Sequence, residues 1–457
     1  MGSSPQGQAH DPGVPSGLRL VHALPLVPLF MVGLFASGLI IDNSFLWHIR
    51  AGTVQHEMGA VLSHDVFSFT ELGSPWRTQS WVAELLYGWL ESVTPSYLWA
   101  SWMVLVVSVV IIALVGISMY RPNPSPVVVG FAMIVAVWLI GPFLQPRPVI
   151  FSFLLLAALV VVLQHRDRVL WVTVPILWVW AGVHGSWIIG GLLIVLEWLR
   201  TSDHRIFRVG LVALAATLAT AHGLGTWSVV VDFFGAREAL AQMQEWKVPD
   251  FGGVAQMPYL LVIAGVIIAA VRGKLTLRDL IVVLPFMFLG MTSRRTVVPA
   301  AIVLLPWAAR AIPTVTVPRS RTSPAIVGAV MVVLGIVAVV PMLSATTGEL
   351  DPERFPGRAA RDAIAGANAF YDDGVGGFLI FAEWPDRLVW IDDRAELHGA
   401  QRFIDYRKAR EGDYEAVFAE YGFDAALAKP DWPLTDRLVA DGWQVVHTDA
   451  EFVVLRP

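Results

Sequence analysis

The sequence contains no cysteine. Any exported part of the chain therefore relies on packing and not on disulfide bonds. Charge is also scarce, because only 15% of the residues are Asp, Glu, Lys or Arg, whereas about a quarter is typical of soluble globular chains. The net charge of −5 and the pI of about 6.1 give no indication of a nucleic-acid partner.

Apolar residues are abundant instead. They make up 56% of the 457 residues, and the mean hydropathy is +0.62. Apolar runs of about 16 to 24 residues recur from Leu20 to Thr346, and runs of this length fit helices that cross a hydrocarbon core of roughly 30 Å. The pattern predicts a polytopic α-helical membrane protein.

About eleven spans are predicted. The first 19 residues contain one basic residue and read as a cytoplasmic tail, and the run after them reads as a retained span and not as a signal peptide. Gly185 and Ser186 leave a re-entrant bend as an alternative around 169–199. The spans are placed near 20–41, 95–119, 127–143, 148–164, 169–184, 186–199, 206–222, 257–271, 277–292, 296–311 and 324–346.

Basic residues predict the sidedness of these spans, because cytoplasmic loops are enriched in Lys and Arg. With the N-terminus inside, every even connection is basic, and residues 350–457 follow an odd number of spans. We therefore expect a multi-pass cell-membrane protein with an extracytoplasmic C-terminal part. The basic residues are Arg121, Arg166, Arg168, Arg200, Arg205, Arg208, Arg272, Lys274, Arg278, Arg310, Arg319 and Arg321.

Three segments are predicted to lie outside the membrane core. Outer loop 42–94 should contain two interfacial amphipathic helices, at 44–58 and 80–93, and a second outer loop covers 223–256. Residues 350–457 alternate strand-like and helix-like stretches, which predicts a soluble α/β domain. Its expected strands are "GGFLIFAEW", "RLVWIDDR", "FDAALAK", "WQVVHTD" and "EFVVLR".

The first outer loop carries the candidate catalytic residues. Asp42 follows the first span directly, and His48 and Asp65 lie in the same loop. Carboxylates and imidazoles at such a site act as a general base or hold a divalent cation, although no spacing matches a closed metal site. A carboxylate that merely ends a helix at water is the alternative for Asp42.

Arginines at outer span ends are candidate ligands for a phosphate. Arg147 in "LQPRPVI" and Arg294 and Arg295 in "MTSRRTVV" oppose the prevailing charge bias. A guanidinium binds phosphate oxygens in a bidentate manner, which a lipid-linked phosphate donor requires. Snorkelling toward lipid headgroups is the alternative.

Further candidates for substrate binding are His184 in "WAGVHGSW", Glu245 and Trp246 in "QEWKVPDF", and Trp81 and Glu84 in the second loop helix. The histidine also fits an ordinary helix end. In the tail, "DDGVGGFLIF" and "WIDDRAELHG" bring acidic residues together. Because turns at strand ends are usually acidic, we interpret these tail residues as structural.

The loop "DNSFLWHIRAGTVQHEMGAVLSHDVFSFTELGSPWRTQSWVAELLYG" resembles the first outer loop of a bacterial group classed with GT-C-type membrane glycosyltransferases. "QPRP", "WAGVHGSW", "EWKVPDF", "SRR", "GGFLIF" and "IDDRAELHG" occur in the same order in that group. The resemblance implies a GT-C-like fold. One departure is that Asn43 follows Asp42, where protein mannosyltransferases have a second acidic residue.

The resemblance also implies an activity, namely transfer of a sugar from a polyprenyl-phosphate-linked donor to a glycan, lipid or protein acceptor in the envelope. It implies Asp42 as catalytic base or metal contact. A non-catalytic scaffold or lipid-binding protein of envelope assembly is the alternative. A transporter is less favoured, because ionisable residues are few in the predicted mid-spans.

Overall fold

The computed structural model describes residues 24–94, 96–123, 125–235, 237–241, 244–314, 324–344 and 346–457. The predicted cytoplasmic tail, residues 1–19, lies outside the described residues. Up to residue 344 the described chain is dominated by helices. They are α1 (Val27–Met31), α2 (Gly33–Ala36), α3 (Asn43–Met58), α4 (Trp81–Val93), α5 (Leu98–Tyr120), α6 (Pro126–Ile140), α7 (Val149–Gln164), α8 (Arg166–Val169), α9 (Thr173–Val183), α10 (Trp187–Thr201), α11 (His204–Ala216), α12 (Gly225–Gly235), α13 (Arg237–Leu240), α14 (Met257–Val271), α15 (Leu280–Thr292), α16 (Val297–Ala308) and α17 (Pro324–Val339).

The tail contains a mixed sheet whose strand order is β1-β2-β4-β3. Strands β1 and β2 are parallel, and β4 runs antiparallel to both β2 and β3. The helix Ala395–Arg410 is interrupted by Gly399, which has a positive φ of 70°. The elements are α18 (Arg358–Ala363), β1 (Ala369–Phe370), α19 (Asp373–Glu383), α20 (Ala395–Arg410), α21 (Glu415–Tyr421), β2 (Ala425–Ala428), α22 (Pro433–Ala440), β3 (Gln444–Thr448) and β4 (Val453–Arg456).

The prediction of about eleven spans in a GT-C-like fold is wrong. Among the described residues, two helical segments are long and apolar enough to cross a membrane, Leu98–Tyr120 and Pro126–Phe143. A third would be the pair Val149–Gln164 and Arg166–Val183, which is bent by 100° at the break between its halves. The other apolar segments form helices such as α9, with 11 residues, and α16, with 12.

The error has a physical cause, because a helix buried inside protein is as apolar as one that crosses lipid. Helix α16 illustrates this, since every residue from Val297 to Trp307 is buried. A span needs about 20 helical residues, and most of the predicted segments, such as 186–199, are shorter than this. The turn from His184 to Ser186 separates α9 from α10, and neither helix reaches that length.

The first loop, 42–94, packs against the tail and shares a hydrophobic core with it. The predicted helices 44–58 and 80–93 are present as α3 and α4. Helix α3 is buried along most of its length and is not a surface helix as predicted. The Asp42 side chain caps its N-terminus by accepting a hydrogen bond of 2.9 Å from the Phe45 amide, and Gly59, at a φ of 62°, ends it.

Two of the predicted strands in the tail are wrong. "GGFLIFAEW" belongs to α19, which begins where the Asp372 side chain accepts a 2.7 Å hydrogen bond from the Gly374 amide. In "RLVWIDDR", Val389 forms only an isolated parallel bridge, to Ser68. Short apolar runs do not distinguish a buried helix from a buried strand. The other three predicted segments contain β2, β3 and β4.

Close contact between α3 and α4 is expected to limit what can replace Gly52. A Cβ atom there would lie 1.8 Å from the Glu84 carbonyl oxygen. Gly52→Ala should lower the free energy of unfolding by about 1–3 kcal/mol through overpacking, measured by thermal unfolding of the detergent-purified chain. The matched control is Gly357→Ala, because Gly357 has a φ of −62° and open space around it. Equal melting of both variants and wild type would contradict the packing described.

Candidate functional site

A cavity of about 1050 Å³ lies between the helical part of the chain and the tail. One wall is apolar and comes from α7, α10, α15 and α16, where Phe153, Leu156, Ile188, Leu289 and Pro299 line it. The remaining wall is polar and charged. Its members are Ser44, His48, Arg147, His184, Glu245, Lys247, Arg295, Asp372, Asp373, Asp393, Arg394, Glu396, Tyr406, Arg407, Arg410 and Glu411.

Arg147 joins three separate parts of the chain at this wall. It lies in the segment between α6 and α7, and its Nε donates to Asp42 while its Nη1 donates to Glu245. Burial opposes its charge, but Asp42 and Glu245 outweigh burial and raise the pKa of Arg147 above its ordinary value. The guanidinium is therefore a fixed positive charge at the cavity.

Asp42 lies behind Arg147 and outside the cavity wall. Its side chain is buried, with one oxygen accepting from the Phe45 amide and the other from Arg147. These two contacts orient α3 and the guanidinium. Asp42 thus holds α3 and the guanidinium and does not line the cavity, whereas the sequence predicted it as a catalytic base or metal contact.

Arg295 is the second cation at the cavity, and His184 holds it. Arg295 Nη2 lies 3.0 Å from His184 Nε2, and since a guanidinium only donates, the imidazole nitrogen accepts. The other ring nitrogen lies 2.8 Å from Ser186 Oγ. Burial and the charge of Arg295 lower the pKa of His184 well below its ordinary value, which keeps the ring neutral and able to accept.

Glu245 bridges the two cations. Its Oε1 accepts from Arg147, and its Oε2 lies 3.5 Å from Arg295 Nη1. Burial opposes its ionisation, but the two arginines prevail and lower the pKa of Glu245. The Trp246 ring lies beneath Arg295, 5.5 Å from the guanidinium carbon. Both residues predicted from "QEWKVPDF" therefore lie at the predicted arginines.

His48 and Glu84 form a buried dyad. His48 Nδ1 lies 2.9 Å from Glu84 Oε1, and Glu84 also accepts from Gln55 Nε2 at 2.7 Å and from the Thr78 hydroxyl. His48 lines the cavity, whereas Glu84 is fully buried behind it. A carboxylate bound to one ring nitrogen fixes the tautomer and orientation of the imidazole. Glu84 was predicted to bind substrate, and its position instead fits orientation of His48.

Asp393 brings a tail carboxylate to the same wall. It accepts a 2.7 Å hydrogen bond from Trp47 Nε1 and a second from the Ser44 hydroxyl. Burial raises the pKa of Asp393, although the charge of Arg147 opposes the shift. Residues of α3 thus orient the carboxylate, and its pKa is raised above the ordinary value. A general base needs both properties.

A second acidic group lies where α19 begins. Asp372 Oδ2 accepts a 2.7 Å hydrogen bond from the Tyr406 hydroxyl. Burial and the charge of Asp372 raise the pKa of Asp373 to about 8. Sequence reasoning interpreted these residues and Asp393 as acidic turns. The signal that was available is the occurrence of two Asp-Asp pairs before helices in one tail.

Asp65 lies outside the cavity wall, in an ion cluster with Arg394 and Asp392. It accepts 2.5 Å and 2.9 Å hydrogen bonds from Arg394 Nη1 and the Ser68 amide, and it is fully buried. The predicted catalytic carboxylate therefore ties the first loop to the tail.

Two predicted substrate ligands, Trp81 and Arg294, also lie outside the cavity wall. Trp81 packs against Gly182 at the end of α9. The Arg294 amide donates to the Lys247 carbonyl at 3.0 Å. Arg294 therefore contributes its backbone near the site, while the neighbouring Arg295 contributes its side chain.

The sequence left a divalent cation open as a ligand of the first loop, and the described residues contain no arrangement that would bind one. No group of three or more His, Asp or Glu side chains there is arranged to hold a metal ion.

Comparisons with known proteins do not classify the chain. No model of a protein family matches it, and no curated protein sequence matches it either.

The neutral state of His184 predicts a pH dependence of stability. Because its pKa is lower in the folded chain than the ordinary value of about 6.5, the unfolded chain takes up the proton first on acidification. Stability should therefore fall as the pH drops below about 6.5, by at most about 1.4 kcal/mol per pH unit from this group. His184→Gln should flatten the curve of melting temperature against pH between 7 and 5. His204→Gln, at an exposed position outside the cavity wall, is the control, and identical curves for wild type and His184→Gln would refute the assignment.

Proposed function

We propose that the chain is a membrane glycosyltransferase that moves a sugar from a polyprenyl-phosphate-linked donor to a hydroxyl of an envelope acceptor. The observation that carries the proposal is the composition of the cavity wall. An apolar surface, the paired arginines Arg147 and Arg295, and the partly buried Asp393 carboxylate with its raised pKa line the same space. These are the three contacts that a lipid chain, its phosphate and an attacking hydroxyl require.

Apolar surface on the outside of the helical part supports the membrane location. Among the described residues, two segments are long and apolar enough to cross a bilayer, and Val106 in Leu98–Tyr120 and Phe131 in Pro126–Phe143 are each 59% exposed. On α4 the usual pattern is inverted, because Glu84 is buried while Trp89 is 53% exposed. A helix with its charge inside and an indole outside fits an apolar or interfacial environment better than water.

The donor phosphate fits at Arg147 and Arg295. The Glu245 carboxylate already bridges the two guanidinium groups. Because both groups bind this anion, a phosphate could bind them in its place. Phosphate oxygens pair with arginine in a bidentate manner, so the donor would displace Glu245. The apolar residues of α7 and α10 would receive the first isoprene units, and Lys247 adds a further positive charge to the same cavity.

Asp393 is the base in this scheme. The acceptor hydroxyl oxygen attacks the anomeric carbon, and its proton passes to the Asp393 carboxylate. The bond between the anomeric carbon and the phosphate oxygen breaks, and polyprenyl phosphate leaves with the electron pair. Arg147 and Arg295 stabilise the charge that develops on the leaving phosphate. His48, oriented by Glu84, binds the acceptor beside the base.

A lipid-binding scaffold without transfer is the second candidate. The observation that favours it is that carboxylates already occupy the proposed phosphate site, since Arg147 contacts both Asp42 and Glu245. A scaffold would bind polyprenyl phosphate and transfer nothing. The two candidates separate in the next experiment.

Asp393→Asn should lower sugar transfer by about 10²- to 10⁴-fold, since it removes the base and retains the size of the side chain. Transfer is measured with a radiolabelled polyprenyl-phosphate sugar and envelope acceptors, and binding with the same lipid. Binding should stay within about twofold of wild type. Asp386→Asn, at an exposed position outside the cavity wall, is the control. Equal transfer by Asp393→Asn and wild type would remove Asp393 from the chemistry, and absence of transfer in wild type would favour the scaffold.

Adjacent arginines provide a matched pair for the donor site. Arg295→Gln should weaken binding of polyprenyl phosphate by about 1.5–3 kcal/mol, because it removes one charge-assisted contact. Arg294→Gln removes the same charge one residue away from the cavity wall and should change binding little. The measurement is a titration of the lipid into each purified variant. Equal losses in both variants would mean that general surface charge attracts the lipid and that the cavity does not.

A further inference from the structure

A second cleft, of about 560 Å³, opens between α3, the start of α5 and the tail. Within the described chain it shares no lining residue with the cavity above. Four aromatic residues line it, and two arginines and one aspartate supply its charges. The residues that matter here are Arg50, Tyr97, Asp351, Phe378, Phe381 and Arg361.

Arg50 brings to this cleft a positive charge whose side-chain hydrogen bonds go to a neutral oxygen. Its Nε donates to the Phe381 carbonyl at 3.2 Å, and its Nη2 donates to the same neutral oxygen. The guanidinium carbon lies 5.7 Å from the centre of the Phe381 ring. Burial lowers the pKa of Arg50, and the charges of Glu57 and Glu91 offset only part of this shift. An anion in the cleft would compensate the remaining cost of burying the guanidinium.

Arg361 has an unused donor. Its Nη1 shares Glu383 with Arg387, at 3.4 Å and 2.5 Å respectively. Its Nε is buried and lacks a hydrogen-bond partner among the described residues. A buried donor without a partner is rare and needs an explanation. A ligand oxygen in the cleft would supply one.

The cleft lies where the longest apolar helix begins. Tyr97 precedes α5, and the exposed apolar side chains Trp102, Val106 and Val110 follow along that helix. Two guanidinium groups and the Asp351 carboxylate leave the lining with one net positive charge. We propose that this cleft binds the headgroup of a membrane lipid with one net negative charge, with Arg50 and Arg361 on its phosphodiester and its acyl chains along α5. The proposal rests on the membrane location and is independent of the transfer reaction.

Native mass spectrometry of the full chain tests the cleft. The chain is purified in detergent and equilibrated with mixed micelles that contain phosphatidylglycerol or phosphatidylcholine. Wild type should retain phosphatidylglycerol preferentially. Arg361→Gln should lower that retention by about tenfold or more, since one charge-assisted contact is lost, and Arg50→Gln should act in the same direction. If Arg50→Gln does not fold, Arg361→Gln alone carries the test.

Arg358→Gln is the matched control. Arg358 lies on the same helix as Arg361, its side chain is 88% exposed, and it is outside the cleft. It should retain phosphatidylglycerol as wild type does. Equal retention of the two lipids by wild type, or unchanged retention by Arg361→Gln, overturns the proposal. Displacement of the lipid by millimolar inorganic phosphate would also overturn it, by assigning the cleft to a soluble anion.

Discussion

The buried ion cluster around Arg394 holds the two halves of the site together. Arg394 lies between Asp65 of the first loop and Asp392 of the tail, and all three side chains are almost completely buried. The indole of Trp76 and the ring of Phe67 lie 4.6 Å and 5.4 Å from its guanidinium carbon. Removing one partner from such a cluster leaves an uncompensated buried charge, which costs about 3–5 kcal/mol. These contacts therefore contribute to the attachment of the tail to the first loop, together with the hydrophobic core that the two share.

The cluster also gives two adjacent carboxylates, Asp392 and Asp393, pKa values that are shifted in opposite directions. Burial opposes the charge of Asp392, but Arg394 and His398 prevail and hold the pKa of Asp392 far below its ordinary value. For Asp393, one residue later, burial prevails and raises the pKa. Neighbouring carboxylates whose environments shift their pKa values in opposite directions are characteristic of acid–base sites. Here one of the pair anchors the tail, and the other faces the cavity.

Sequence reasoning identified six residues that the structure gathers at the cavity wall, namely His48, Arg147, His184, Glu245, Trp246 and Arg295. It selected Arg147 and Arg295 because arginines at outer span ends oppose the charge bias. It selected His48 because it lies in the same loop as Asp42, and Glu245 because a carboxylate lies beside an aromatic ring there. It predicted Asp42 and Asp65 as catalytic and could not find their partners, Arg147 and Arg394, which are 105 and 329 residues away. It also set aside Asp393, because an acidic turn and an active-site carboxylate look alike before the fold is known.

Local properties of the sequence determined the apolar character of the chain, the ends of α3 and α4, and the strands β2, β3 and β4. Capping side chains, glycines and alternating apolar residues act over a few positions, so a reader of the sequence can use them directly. Only the tertiary structure decided how many helices are long enough to cross a membrane, because burial in protein and burial in lipid select the same residues. It also decided that tail carboxylates meet loop and helix residues at one cavity, since ionic contacts between distant segments leave no periodic trace in the sequence.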